Sequence, residues 1–187
     1  MNIRVAVHSV LADPNTDAQI VILKSRQKKV LLPIWVGASE ANTIRLSMEN
    51  IQIPRPLTHD LLKELLTSLD VQLEKVVIHD VHRNTYYASL YFKRVLIKRS
   101  PVLFSGDGME SLDSLPKQEE TVKEEEVALA SFQVDSRPSD AIILALRYGA
   151  PLYVNRDVLN QQNVNSEFSE WITHTHPKKS EPAEPDS

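Results

Sequence analysis

The 187-residue chain contains no cysteine, which excludes disulfide bonds, zinc–thiolate sites and thiol catalysis. It also lacks an apolar run long enough to cross a membrane. Glycine is scarce, and there is no glycine-rich phosphate loop, dinucleotide-binding fingerprint or nucleophile elbow. Arg4 and His8 interrupt the apolar stretch at the N-terminus, so no signal peptide is predicted. These absences favour a cytoplasmic protein.

The negative charge of the chain is concentrated in two segments. The total of −4 includes −6 from residues 105–128 and −3 from residues 167–187, which leaves the remainder at +5. We therefore predict one domain over residues 1–160, interrupted by an acidic mobile insertion at 105–126, and a polar, largely disordered tail over 161–187. A mildly basic body permits binding of DNA or RNA but does not require it.

Hydrophobic periodicity predicts two successive groups of strands and helices. Residues 2–10, 18–23 and 29–36 have the pattern of strands, and a helix capped by Ser39 follows. A second helix, capped by Thr58, carries leucines at helical spacing. These leucines are Leu61, Leu62, Leu65, Leu66 and Leu69.

The second half has the same order of elements. Strands are predicted at 73–81, 86–97 and 127–134, a helix at 138–148 that ends at Gly149, and a short strand at 152–154. The fold class is α+β, with mixed or antiparallel sheets and two to four helices. The order β-β-β-α occurs twice, and Ser39-Glu40-Ala41 matches Ser139-Asp140-Ala141. A structural duplication and the chance likeness of two capped helices both explain this match.

The predicted junction between the strand at 127–134 and its helix carries the strongest candidates for chemistry. Asp135 ends the strand, and Asp140 lies in the first helical turns. If both carboxylates face one point, they form a site for Mg²⁺ or Mn²⁺, which prefer oxygen ligands. Arg137 is suited to binding a phosphate. The alternative is structural, with Asp140 capping the helix and Arg137 paired with Asp135.

Two His-Asp pairs are further candidates for catalysis. His59 and Asp60 begin the leucine-rich helix just after Arg55, a second candidate for phosphate binding. His79 and Asp80 end an apolar strand, where a general acid or base is often placed. Asp60 in a first helical turn also has a purely structural explanation, and so do His79 and Asp80 in a polar turn.

The strand that begins near Tyr86 alternates between two faces. Tyr86, Ala88, Leu90 and Phe92 share one face, and Tyr87 and Tyr91 share the other. The exposed tyrosines, with basic residues nearby, have two explanations. They stack on the bases of single-stranded nucleic acid, or they pack against a neighbouring strand or subunit.

Four motifs occur in order and together resemble the bifunctional nuclease family. They are Leu32-Pro33-Ile34-Trp35-Val36-Gly37, Pro54-Arg55-Pro56-Leu57-Thr58-His59-Asp60-Leu61, Val77-Ile78-His79-Asp80 and Asp135-Ser136-Arg137-Pro138-Ser139-Asp140-Ala141. The resemblance implies a compact α+β domain that hydrolyses phosphodiester bonds in both DNA and RNA.

Two functions follow from the sequence. The first is a nuclease that acts on DNA and RNA. Asp135 and Asp140, with Asp80 or Glu40 as a further acid, hold a divalent cation, and His59 or His79 is the acid or base. The second is a non-catalytic module, either a nucleic-acid-binding regulator or an oligomeric scaffold. A homodimer is compatible with both.

Overall fold

A computed structural model describes residues 1–13, 16–25, 31–100 and 123–161, with the backbone alone for 95–100 and 123–129. Its seven strands are β1 (Asn2–Ala12), β2 (Gln19–Ser25), β3 (Leu31–Val36), β4 (Val71–His82), β5 (Thr85–Ser100), β6 (Lys123–Ser136) and β7 (Leu152–Asn155). Its four helices are α1 (Ala38–Met48), α2 (Thr58–Ser68), α3 (Pro138–Tyr148) and α4 (Arg156–Gln161). No helix in these ranges is long and apolar enough to cross a membrane.

The strands form one sheet in the order β3-β2-β1-β7-β4-β5-β6. Two antiparallel meanders, β1-β2-β3 and β4-β5-β6, lie on either side of β7, which pairs antiparallel with β1 and parallel with β4. The sheet is therefore mixed, which confirms the predicted α+β class. The β-β-β-α order also occurs twice, because α1 follows β3 and α3 follows β6.

The helices cover the sheet in two corresponding halves. Helix α1 packs on β1 and β2, α3 packs on β4 and β5, and the two helices contact each other. The core between them contains Ile44 of α1 and Ile142 of α3, both fully buried. The predicted alternation in β5 is confirmed, because Ala88, Leu90 and Phe92 join this core while Tyr87 is 40% exposed on the opposite face.

Strands β5 and β6 are longer than the pattern of apolar residues predicted. Residues 123–126, assigned to the mobile insertion, form the start of β6. The Cα register sets Glu125 opposite Lys98 and Glu124 opposite Arg99. The remainder of the predicted insertion, 105–122, and the predicted tail beyond Gln161 lie outside the described residues.

Both predicted N-caps were wrong, whereas the predicted C-cap is confirmed. Gly37 and Leu57 occupy the capping positions in extended conformations, and Ser39 and Thr58 already lie within the helices. The Leu57 N–H donates instead to Asp60 Oδ2 at 3.0 Å. At the end of α3, Gly149 adopts φ +65°, the left-handed conformation that glycine tolerates best.

Most leucines of helix α2 face away from the core, unlike the apolar face of an ordinary amphipathic helix. Its polar residues His59, Asp60 and Lys63 are turned toward α3, which they contact through hydrogen bonds and an ion pair. Leu66 alone packs against the core. The other four leucines, 41–60% exposed, lie on the outer face: Leu61, Leu62, Leu65 and Leu69. The spacing therefore predicted the helix correctly but not the direction of its apolar face.

Candidate active site

The Asp140 carboxylate, in the first turn of α3, is the centre of a polar cluster. Arg137 donates to it twice, from Nε to Oδ2 at 2.7 Å and from Nη2 to Oδ1 at 3.0 Å. His59 Nε2 of α2 lies 3.1 Å from Oδ1. Burial alone would raise the pKa of Asp140, but the hydrogen bonds from Arg137 and His59 outweigh it and lower that pKa. The carboxylate is therefore held ionised between two donors.

The local sequence explains why Arg137 folds back onto Asp140. Pro138 is the first residue of α3, and a residue that precedes proline avoids the helical conformation. Arg137 accordingly has φ −66° and ψ 145°, and its side chain lies over the first helical turn. The hydrogen bond to Asp140 raises the pKa of Arg137, which keeps the guanidinium charged. Its side chain remains 67% exposed.

Glu40, at the first strand-to-helix junction, contacts Arg137 at the second. It occupies the same position in α1 that Asp140 occupies in α3, three residues after the capping residue. Its Oε1 lies 3.3 Å from Arg137 Nη1, so a single guanidinium bridges the two acids. A Cβ at Gly37 would lie 2.6 Å from Glu40 Oε2, so a larger residue there would require the Glu40 side chain to move.

A cleft of about 330 Å³ opens beside this cluster. Glu40 and Arg137 form part of its wall, and the tip of the β4–β5 hairpin forms another part. The remaining lining residues are Ile34, Trp35, Val36, Gly37, Asn84, Thr85, Tyr86, Pro138 and Ser139. The Tyr86 hydroxyl donates to the Pro33 carbonyl at 3.2 Å, and burial raises the pKa of Tyr86 to about 12.

Contacts between α2 and α3 hold His59 in place. Asp60 forms an ion pair with Arg147, with 3.0 Å between Oδ1 and Nε. Lys63 Nζ donates to the Arg147 carbonyl at 2.5 Å, and Tyr148 donates from its hydroxyl to the Lys63 carbonyl at 3.2 Å. Asp60 thus links α2 to α3, and it also accepts from the N–H of Leu57 at the start of its own helix.

The second His-Asp pair lies elsewhere. His79 is exposed at a bulge in β4, and Asp80 accepts from the backbone N–H of Val81 at 2.8 Å. Asp80 Oδ2 also lies 2.8 Å from His82 Nε2, and the His82 ring contacts Tyr87 edge-on at 5.8 Å between centroids. Within the described ranges, neither His79 nor Asp80 contacts the cluster around Asp140.

The structure does not bring Asp135 and Asp140 together. Asp135 pairs in register with Ser89, whereas the neighbouring Leu90 belongs to the core beneath the helices. Because residues alternate between faces along a strand, Asp135 lies on the face opposite α3. Arg137 accordingly pairs with Asp140 and Glu40, and the pairing with Asp135 that the structural alternative invoked is not among the ion pairs of the described residues.

The divalent cation that the sequence suggested stays a prediction. Among the described residues, no group of three histidine, aspartate or glutamate side chains is arranged to hold a metal ion. Asp140 is occupied by Arg137 and His59. Arg55, the other predicted phosphate ligand, is exposed on the connection between α1 and α2.

Glu40 was recognised in the sequence only through its match to Asp140. The signal was the pair Ser39-Glu40-Ala41 and Ser139-Asp140-Ala141, each at the start of a helix after three strands. In the structure, Arg137 forms an ion pair with each of the two acids, Glu40 and Asp140.

The fold and the site define a small α+β domain with a His–Asp–Arg–Glu cluster at two corresponding strand-to-helix junctions. The chain belongs to the bifunctional nuclease domain family, whose sequence profile matches residues 21–102 and 119–167. This membership confirms the resemblance that the four motifs indicated.

Relatives in bacteria and plants match the chain at modest identity. An uncharacterized protein of Mycobacterium tuberculosis is 31% identical over 157 residues, which cover 84% of this chain and 74% of the relative. Bifunctional nuclease 1 of Oryza sativa subsp. japonica is 26% identical over 148 residues, covering 79% of this chain and 36% of the rice protein. Bifunctional nuclease 2 of Arabidopsis thaliana is 26% identical over 127 residues, which cover 68% of this chain and 30% of the Arabidopsis protein.

Proposed function

We propose that this protein is a cytoplasmic nuclease that hydrolyses phosphodiester bonds in DNA and RNA at the cluster of His59, Asp140, Arg137 and Glu40. Membership of the bifunctional nuclease family supports the reaction class. The observation that carries the choice of site is the contact between His59 Nε2 and Asp140 Oδ1 at 3.1 Å. A histidine oriented by a carboxylate is a common arrangement for proton transfer near neutral pH.

His59 supplies the acid–base chemistry in this proposal. If Nε2 carries the proton, it donates to Asp140, and the lone pair of Nδ1 accepts a proton from the attacking hydroxyl group or water. Asp140 then stabilises the imidazolium that forms, and Nδ1 returns the proton to the leaving oxygen as its bond to phosphorus breaks. The His59 side chain is 18% exposed, which leaves it partly accessible while α3 fixes the ring.

Arg137 provides the positive charge for the phosphate. A guanidinium has five N–H donors, and three are directed at Asp140 and Glu40. The remaining donors lie on a side chain that is two-thirds exposed at the cleft. Arg137 is therefore the first candidate for contacting the phosphate, and the exposed Arg55, four residues before His59 in sequence, is a second candidate.

A divalent cation stays a prediction for this site. Mg²⁺ or Mn²⁺ would supply Lewis-acid stabilisation of the phosphate and a more acidic water. The pair Asp135 and Asp140 does not fit such an ion, because the two residues lie on opposite sides of the sheet. Asp140 and Glu40 share Arg137 and are the acids that fit better. Cleavage measured with EDTA, Mg²⁺ and Mn²⁺ tests the requirement.

The decisive experiment compares variants of three histidines. His59→Asn should reduce cleavage of labelled single-stranded DNA and RNA by about 100-fold or more, within the range of acid–base contributions. His82→Asn, at another exposed His-Asp pair, is the matched control and should retain activity. If His79→Asn loses activity and His59→Asn keeps it, the catalytic site lies at His79 on β4.

A non-catalytic module is the second candidate, and one observation favours it. Arg137, Asp140, Glu40 and His59 satisfy one another, as residues of a structural lock between α1, α2 and α3 would do. This candidate predicts binding of nucleic acid, or assembly, without cleavage. Equal residual cleavage by wild type and a His59→Asn/Asp140→Asn double variant would indicate a contaminating nuclease and support the module.

A further inference from the structure

The outer face of α2 is an apolar surface that nothing in the described part of the chain covers. Leu61, Leu62, Leu65 and Leu69 are 50%, 41%, 54% and 60% exposed, and together they form the leucine surface. We estimate roughly 300–400 Å² of exposed side chain here, the size of apolar patches that are often functional on monomers. The polar residues of the helix are already committed to α3. Rotation of α2 to bury its leucines would therefore break those contacts.

We propose that the leucine surface is the interface of a homodimer, in which α2 packs antiparallel against α2 of a second copy. Leu61, Leu65 and Leu69 are spaced four residues apart, so the row is symmetric about Leu65. A two-fold axis at Leu65 places Leu61 against the partner's Leu69 and Leu65 against its own counterpart. A surface that matches itself in this way is what an isologous interface requires.

Charge favours the same arrangement. Antiparallel helices bring the positive N-terminal end of one dipole to the negative C-terminal end of the other. Glu64 is the one exposed charged residue between the ends of α2, and it lies beside the row and not within it.

The size of the surface is that of an interface centre. A standard interface buries about 800 Å² per partner, with an apolar centre and a polar rim. The four leucines supply the centre, and the exposed Thr58, Glu64 and Ser68 supply part of the rim. The same helix carries His59, so dimerisation would also help to fix His59 in its position beside Asp140.

The mass of the full chain in solution tests the dimer. Light scattering with size exclusion, repeated from about 1 to 100 μM, should give twice the 21.2 kDa of the chain at the upper concentrations. Leu65→Glu places two like charges at the two-fold axis and should reduce the mass to that of a monomer. Because Leu65 is already 54% exposed, we expect the variant to fold, with an unchanged far-UV circular dichroism spectrum.

Val134→Glu is the matched control. Val134 is an exposed apolar residue of β6, 43% accessible, and replacing it adds the same charge to a different surface. The control should remain dimeric. A wild type that stays monomeric throughout the concentration range overturns the proposal, and so does a dimer that Val134→Glu dissociates while Leu65→Glu does not.

Cross-linking gives a second readout that does not depend on a charged variant folding. Since the chain has no cysteine, Leu65→Cys introduces a single thiol per copy. At the two-fold axis, two such thiols should oxidise to an interchain disulfide, visible as a dimer on a non-reducing gel. Val134→Cys should give little of this product. Equal cross-linking of both variants, or none in Leu65→Cys, contradicts the antiparallel α2 interface.

Discussion

Replacing Asp140 by asparagine separates the catalytic explanation of the cluster from the structural one. Asparagine has nearly the same shape, but it removes the negative charge and one of the two acceptors for Arg137. Arg137 is 67% exposed, so water replaces the lost acceptor. Pairs of this exposure contribute about 0.2–1 kcal/mol. We therefore expect the variant to lose about 1 kcal/mol of stability.

The expected effect on activity is much larger. For a chain of this length, 1 kcal/mol lowers Tm by about 2–4 °C. Loss of the carboxylate that stabilises protonated His59 should lower cleavage by about 100-fold or more. Tm is measured by differential scanning fluorimetry, and cleavage of fluorescent DNA and RNA is measured per folded molecule at a temperature well below the melting transition.

Asp157→Asn provides the control, because Asp157 is an exposed acid in the first turn of another helix, α4. It should change neither Tm nor cleavage appreciably. The catalytic reasoning is refuted if Asp140→Asn lowers Tm by more than about 10 °C while activity per folded molecule is unchanged. That result would identify the cluster as a structural lock.

Three further predictions concern stability. The pKa of Asp140 is lowered in the folded protein, so the ionised carboxylate contributes its full stability above the ordinary pKa of 3.8. This contribution is lost as the pH falls through the lowered pKa. In urea titrations at acid pH, the stability difference between wild type and Asp140→Asn should therefore shrink. A constant difference down to pH 2 would contradict this. The buried Tyr86 hydroxyl keeps its proton to about pH 12, so wild type should lose stability relative to Tyr86→Phe between pH 10 and 12, as the unfolded chain ionises first. Parallel curves for the two proteins would be inconsistent with a raised pKa. Gly149→Ala should lower the free energy of unfolding by about 1 kcal/mol, because alanine is strained at φ +65°. No atom lies within 4 Å of the added Cβ, so the loss comes from the backbone conformation alone. A Tm equal to that of wild type would count against this strain.

Much of the fold was predictable because its signals are local. The period-two pattern in β5 identified which side chains face the core, and Gly149 marked the end of α3. The starts of α1 and α2 were misplaced by one or two residues, because Ser39 and Thr58 are good capping residues by type. Which residue occupies the cap depends on where the chain leaves its extended path, and that point was set by Gly37 and Leu57.

The candidate site was predicted only in part, since its contacts join distant segments. Asp140 and Arg137 were identified from their junction, and their i, i+3 contact joins the capping residue of α3 to its first turn. Their link to His59 spans 81 residues of sequence. The position of Asp135 depends on its register with Ser89, which sets the face of β6 that its side chain occupies.

The sequence by itself determined the order of strands and helices, the core residues of β5 and membership of the family, because periodicity and motifs are properties of short segments. The tertiary structure alone decided which histidine reaches Asp140, which acids share Arg137 and which way the leucines of α2 point. Those outcomes depend on how helices cross and strands align. At α2, Asp60 and Lys63 contact α3, and four leucines lie on the outer face.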